Sequence, residues 1–152
     1  MWKSMRSQAG SDHLMTVFRS FHDSCIKEVA LQTREFVDER RAMHFDNRTF
    51  VRLLFQSQFK KDATLEMIFE DVLDFNWVQD ERKADPGLSI ILHAVCLWKN
   101  DMLYWAEDLD WSLEAEDKND FRWLAAKQAR WRFAESGLDP ATLLSEPIDS
   151  TD

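Results

Sequence analysis

The segment TFVRLLFQSQF, residues 49 to 59, alternates with a period of two. Val51, Leu53, Phe55, Ser57 and Phe59 fall on one side and Phe50, Arg52, Leu54, Gln56 and Gln58 on the other. A helix, repeating every 3.6 residues, would scatter these positions around its circumference, whereas an extended strand sorts them onto two faces. The β-branched and aromatic content suits a pleated, half-buried surface. A long strand in the middle of the chain is the first constraint on the fold.

The same period recurs on either side. From Cys25 onward, Ile26, Glu28, Ala30 and Gln32 face one way and Cys25, Lys27, Val29, Leu31 and Thr33 the other, which predicts a second strand. After the polar break Lys60, Lys61, Asp62, the residues Leu65, Met67 and Phe69 alternate with Glu66 and Glu70, so this segment pairs with 49–59 as a hairpin. Residues 72 to 78 extend that strand past a bulge, because Asp71 disturbs the alternation. Residues 79 to 87 form a charged loop closed by Pro86 and Gly87. A further hairpin runs from Leu88 to Trp98, turns at Lys99 to Asp101, where Asn100 tolerates a positive φ, and returns over Met102 to Ala106.

The closing element FRWLAAKQARWRFA holds good helix formers, yet Phe121, Trp123, Ala125, Ala129, Trp131 and Phe133 recur at even spacing, so it is assigned as a strand with one apolar face. At the other end, residues 1 to 11 are expected to be a loose lead-in. A short helix capped near Ser11 or Asp12 would follow, with Leu14, Phe18 and Phe21 on one side. Residues 12 to 136 then make one globular domain, and 137 to 152 a polar tail with little order. The expected fold is mainly β: an antiparallel sheet, as a sandwich or partial barrel, with a short N-terminal helix. An α+β arrangement is the alternative. Only three glycines serve the chain, few for the tight turns of a β-protein, which keeps an all-helical arrangement in view.

Charge narrows the partners. With 28 acidic and 19 basic side chains in 152 residues, the formal net charge is -9. Binding to a phosphate backbone rests on cations that release counterions, so nucleic acid is disfavoured and a basic protein partner favoured. No apolar run approaches the length of a spanning helix, and the N-terminus lacks the continuous apolar stretch of a signal peptide. A cytoplasmic protein without membrane association is expected. Cys25 and Cys96 form no CxxC pair, and two buried free thiols are expected.

The blocks FHDSCIKE (21 to 28), RLLFQSQF (52 to 59), LEMIF (65 to 69), LYWAED (103 to 108) and LAAKQARWR (124 to 132) together resemble an uncharacterised family of small bacterial proteins. The resemblance implies a small soluble bacterial domain with no recognised cofactor and no assigned activity. Immunity proteins that neutralise toxins are similar in size and charge only.

Two constellations are candidates for function. Residues 107 to 120, EDLDWSLEAEDKND, hold seven acids and the single base Lys118. Repulsion and solvation should keep them at the surface, with Trp111 and Leu113 pinning the segment. An interaction surface comprising Trp105, Glu107, Asp108, Trp111, Glu114, Glu116 and Asp117 would meet a basic partner, an immunity-type role being one form of this expectation. The other constellation is His22 and Asp23, an acid/base pair that, with Glu107 or Asp108 beside an aromatic pocket, would make a small enzyme or ligand-binding protein. Neighbours on a strand point to opposite faces, so these two are expected to be poorly placed to pair, with Asp23 or Ser24 capping the preceding turn instead.

Other chemistry finds little footing. His13, His22, His44 and His93 show no metal-site spacing, and no phosphate-cradling glycine motif occurs. Neither a metal nor a cofactor is expected. Trp98, Tyr104, Trp105, Trp111, Trp123 and Trp131 read as sheet core before groove. Lys127, Arg130 and Arg132 are expected to pair with acids. A homodimer through an exposed edge strand or aromatic face is also compatible with the sequence.

Overall fold

The computed structural model describes residues 1–59, 64–78 and 90–134. In chain order the described elements are β1 (Lys3–Met5), α1 (Gln8–Val17), β2 (Ser24–Thr33), β3 (Phe36–Val37), β4 (Met43–His44), β5 (Thr49–Ser57), β6 (Thr64–Asn76), β7 (Val95–Lys99), β8 (Met102–Ala106) and β9 (Trp123–Ala134). Seven of these strands form one antiparallel sheet in the order β2-β5-β6-β9-β8-β7, with β1 added beside β9. Strands β3 and β4 form a separate two-stranded ribbon that the sequence did not signal. The fold is thus mainly β with one N-terminal helix, as expected. The loop 79–87, the Lys60 to Asp62 break and the tail 137–152 lie outside the described residues.

The ambiguous closing segment becomes the spine of the sheet. β9 pairs with β6 along its whole length, from Asn76↔Trp123 to Thr64↔Ala134. Its other edge is divided: β8 takes residues 123–126 and β1 takes Ala129, Arg130 and Trp131. Here tertiary pairing overrides the helical propensity of Ala, Lys and Gln. It also corrects the expectation of a loose lead-in over 1–11. Lys3–Met5 are ordered by β9, and Met5 is fully buried. The helix begins at Gln8 rather than near Ser11, with Ser7 as the cap whose hydroxyl accepts from the Gly10 N–H at 3.4 Å.

One side of the sheet carries the main core, in which Val51, Leu53 and Phe55 of β5 meet Leu65, Met67 and Phe69 of β6. Leu14 and Phe18 of the helical segment and Phe21 after it pack on the same core. Burial of such side chains stabilises by roughly 1.5–3 kcal/mol each. The alternation does not run unbroken. On β6 the core residues are Leu65, Met67 and Phe69 but then Val72, and Asp71 between them has φ 53°. On β9 they are Leu124 and Ala126 but then Ala129 and Trp131. Both strands change parity where they cross, between Glu70↔Gln128 and Val72↔Ala126. The even-spaced stripe of the sequence analysis is therefore split: Trp123 and Ala125 face away from the main core, whereas Ala129 and Trp131 face into it. The register is kept across this change, which coincides with the positive φ of Asp71, and the bulge follows it between Val72 and Asp74.

The opposite side differs between the two halves of the sheet. Across β2, β5, β6 and β9 runs a charged ladder. Glu28 accepts from Arg52 at 3.1 Å, Arg52 donates to Glu66 at 2.7 Å, and Arg132 donates to the second Glu66 oxygen at 2.6 Å. Arg130 pairs with Glu70 at 3.3 Å, and Trp2 receives both Arg130 and Arg132 on its ring. The basic cluster is thus neutralised internally, as expected, apart from Lys127, whose side chain is exposed. Arg52 and Glu66 are 5% and 3% exposed, so each charge depends on its partner. On the β7-β8-β9 half, Val95, Tyr104, Ala106, Trp123 and Ala125 form a second apolar cluster.

The sheet stays open, yet its edges approach at one end. Ile91 N–H donates to the Ser24 carbonyl at 2.7 Å, making a bridge between β2 and the segment leading into β7. From Ile91 to Val95 the chain spans at most about 14 Å, which limits the gap between the edges there. Of the strand expected over Leu88 to Trp98, residues 88 and 89 lie outside the described residues, and the described strand begins at Val95 because residues 91–94 serve this crossing. Asn100 and Asp101, at φ 53° and 60°, make the two-residue turn between β7 and β8. Cys96 is buried but Cys25 is exposed, which corrects the expectation of two buried thiols: β2 is an edge strand, and the Cys25 side chain is left uncovered.

Candidate functional site

The acidic segment is built as a pinned loop. It leaves β8 at Glu107, whose N–H donates to the Arg122 carbonyl at 3.0 Å, and rejoins the sheet at β9. Its carboxylate and the Arg122 guanidinium form a two-pronged ion pair, half-shielded from solvent. Trp111, 4% exposed, inserts against Tyr104 and Trp123, with ring centroids 5.9 and 5.2 Å away, and Leu113 and Phe121 pack on the same cluster. The indole N–H of Trp111 donates to the Lys118 carbonyl at 3.1 Å, and that of Trp123 to Asn119 at 3.1 Å. From β6, the Asn76 amide donates to the carbonyls of Asn119 and Phe121 at 3.1 and 2.8 Å. Short backbone turns fill the rest, including Ala115 to Ser112 and Asp120 to Asp117.

This arrangement sorts the acids. Glu107 is committed to Arg122, and Glu114 pairs with Lys99 at the surface. Asp110, Glu116, Asp117 and Asp120 are exposed, and among the described residues no cation forms an ion pair with them. Asp108 is half-buried, its carbonyl accepting from Trp111 N–H at 3.4 Å. Two expected surface residues are not at the surface: Trp105 is fully buried in the main core and Trp111 is the anchor of the loop. Both are large apolar side chains on or beside a sheet, where burial outweighs display.

His22 and Asp23 lie in a different setting. The chain between α1 and β2 holds Arg19, Ser20, Phe21 and Asp23 at φ 51°, 53°, 61° and 53°. Left-handed residues cost roughly 1–2 kcal/mol each. The turn persists because Phe21 is buried edge-on against Phe18 and Phe55, at 5.1 and 4.8 Å. Its backbone is also used: Ala94 N–H donates to Ser20 O and Gln58 N–H to Asp23 O, both at 3.0 Å. The turn carries Asp23 to the same side as His22, with Nε2 and Oδ2 3.3 Å apart. The expectation that the two would not pair assumed a strand and is corrected by Asp23's positive φ. Nδ1 of His22 donates to the Leu92 carbonyl at 2.7 Å, and its ring stacks on His93 at 4.9 Å.

Ser24 Oγ donates to the Phe21 carbonyl at 2.6 Å and is 2% exposed, so this hydroxyl closes the turn and is not presented as a nucleophile. No hydrogen bond or ion pair joins His22 or Asp23 to Glu107 or Asp108, all of which are described. The structure therefore assembles His22, Asp23 and His93 as one cluster and the acidic loop as another. His93 was missed as a partner because it lies 71 positions along the chain from His22, with no local signal linking them. Arg122 could have been found: it is the one cation beside the acidic run that the closing strand must place next to Glu107. No family model, curated protein or solved structure matches this chain.

Proposed function

We propose that the chain is a non-enzymatic interaction domain whose loop 107–120 presents a preformed acidic surface to a basic protein partner. The observation carrying this reading is the division of labour within the loop. Trp111, Leu113 and Phe121 are spent on anchoring, while Asp110, Glu116, Asp117 and Asp120 are held outward on a scaffold already ordered. A preorganised charged surface speeds encounter and loses little entropy on docking. The net charge of -9 adds long-range attraction for a cation-rich partner. An immunity-type role, masking a basic toxin, is one form of this reading, by analogy with immunity proteins in size and charge only.

The test is binding of a lysine- and arginine-rich peptide, followed by calorimetry at two salt concentrations. Neutralising the four acids together, as D110N, E116Q, D117N and D120N, is expected to weaken binding by tenfold or more and to flatten its salt dependence. Equal neutralisation at Asp12, Glu35, Glu39 and Asp101, which are also exposed, should leave the affinity within twofold. Equal loss from both sets would reduce the attraction to net charge alone and overturn the proposal.

A further inference from the structure

We propose that the chain forms a two-fold dimer through the open edge of β2, with Ala30 on the symmetry axis. The strand order ends in β2 and β7, and the three-residue β1 beside β9 is a short further edge. At β7 two outward backbone groups are taken within the chain: the Gln8 side chain donates to Cys96 O at 3.3 Å and accepts from Trp98 N–H at 2.9 Å. Along β2, among the described residues, only Ile91 meets the outer edge, at Ser24. Among the described residues nothing pairs with the rest of that strand's outer donors and acceptors, and such a row is a template for strand addition.

The side chains along this edge point to a second copy. Val29 and Leu31 stand opposite Leu53 and Val51, on the core face of the sheet, yet are 37% and 54% exposed. An antiparallel pairing centred on Ala30 sets Val29 of each copy against Leu31 of the other, twice by symmetry, so the apolar face continues across the axis. The same register sets Glu28 against Gln32 and Lys27 against Thr33, with no like charges opposed. Moving the axis to Val29 would face Lys27 with Leu31, and moving it to Glu28 would oppose two carboxylates. A strand edge alone falls short of the roughly 1,000 Å² a stable interface needs. The ribbon that follows β2 supplies further apolar surface, with Phe36, Val37, Met43 and Phe45 at 58%, 60%, 62% and 74% exposure.

Sedimentation equilibrium on the full chain, from micromolar to submillimolar concentration, tests the pairing. The unaltered chain should show dimer mass, and amide exchange in β2 should slow as concentration rises. V29E alone and L31K alone should each weaken association by about tenfold or more, since each spoils two symmetric cross-strand pairs. V29E combined with L31K should recover it, because each new acid then faces a new base. Both sites are exposed, and circular dichroism checks that the variants keep their strand content. Monomer mass throughout, with β2 exchange independent of concentration, would overturn the dimer. Failure of the combined variant to recover would overturn the register.

Discussion

At β7 a side-chain amide from α1 stands in for a neighbouring strand, while at β2, among the described residues, the backbone edge past Ser24 meets no neighbour and the strand is held by its faces. Gln8 reaches Cys96 O and Trp98 N–H together, and the Trp98 indole donates to Ser11 of the same helix at 2.9 Å. At β2 the hold comes from the sheet side: Glu28 is tied through Arg52 to Glu66 and Arg132. The contrast teaches that a helix crossing one end of an open sheet can close only the edge within its reach. The other edge keeps its register through side chains, and among the described residues its outer peptide groups past Ser24 meet no neighbour.

The two cysteines, one on each edge, give the largest expected contrast. Burial pushes the Cys96 thiol up to about 12, so at pH 8 roughly one molecule in ten thousand carries the reactive thiolate there. An alkylating reagent should modify exposed Cys25 at least a hundredfold faster than Cys96, and mass spectrometry of timed aliquots would show one label per chain. Comparable rates would mean that the β7 edge opens as readily as β2. Next in size is the ladder holding β2. R52A leaves Glu66 and Glu28 without their shared cation, at 4% and 15% side-chain exposure. It should cost about 3–5 kcal/mol in urea unfolding. Amide protection should fall more in β2 than in β7.

A smaller loss is expected at the capped edge. Q8A strands the Cys96 carbonyl and the Trp98 N–H, which should cost about 1–3 kcal/mol and speed labelling of Cys96 while leaving Cys25 unchanged. An unaltered Cys96 rate in Q8A would show that the amide is incidental to closing the edge. The smallest effect concerns the ribbon beyond β2. The Arg48 guanidinium and its N–H hold Asp46 down to about 2, and His44 with the Ala42 N–H lowers Asp38. Carboxylates with depressed folded values stabilise above their ordinary range near 3.8 and lose that contribution as pH falls through the folded value. Ribbon resonances should therefore broaden or shift between about pH 4 and pH 2, while those of β7 hold. Both groups are solvent-facing, so global stability should change little.

Much of the strand content was legible because it is local. The alternation of 49–59, the hairpin to 64–70 and the turn at Asn100 each need only neighbouring residues, and all three recur in the structure. The bulge past Asp71 was legible for the same reason. Less could be seen of the ends and faces. β1 is ordered by β9, more than a hundred residues away in sequence, and nothing in KSM announces a strand. The parity change on β9 was hidden because an unbroken period of two is the simplest account of Phe121 to Phe133. It is the kink of β6 at Asp71, on a different strand, that accompanies the break. In the candidate site, the acids of 107–120 and their two apolar anchors were readable from composition. The commitment of Glu107 to Arg122 and the pairing of His22 with Asp23 required the turn geometry.

Sequence by itself determined that this chain makes an antiparallel sheet with an acidic loop between its last two strands, because side-chain alternation and charge density act over a few residues. Only the tertiary structure decided which face each apolar residue of β9 meets, which acids remain outward and which edge of the sheet is closed. Those outcomes depend on backbone groups and side chains brought together from distant positions, and peptide groups carry no sequence signal of their own.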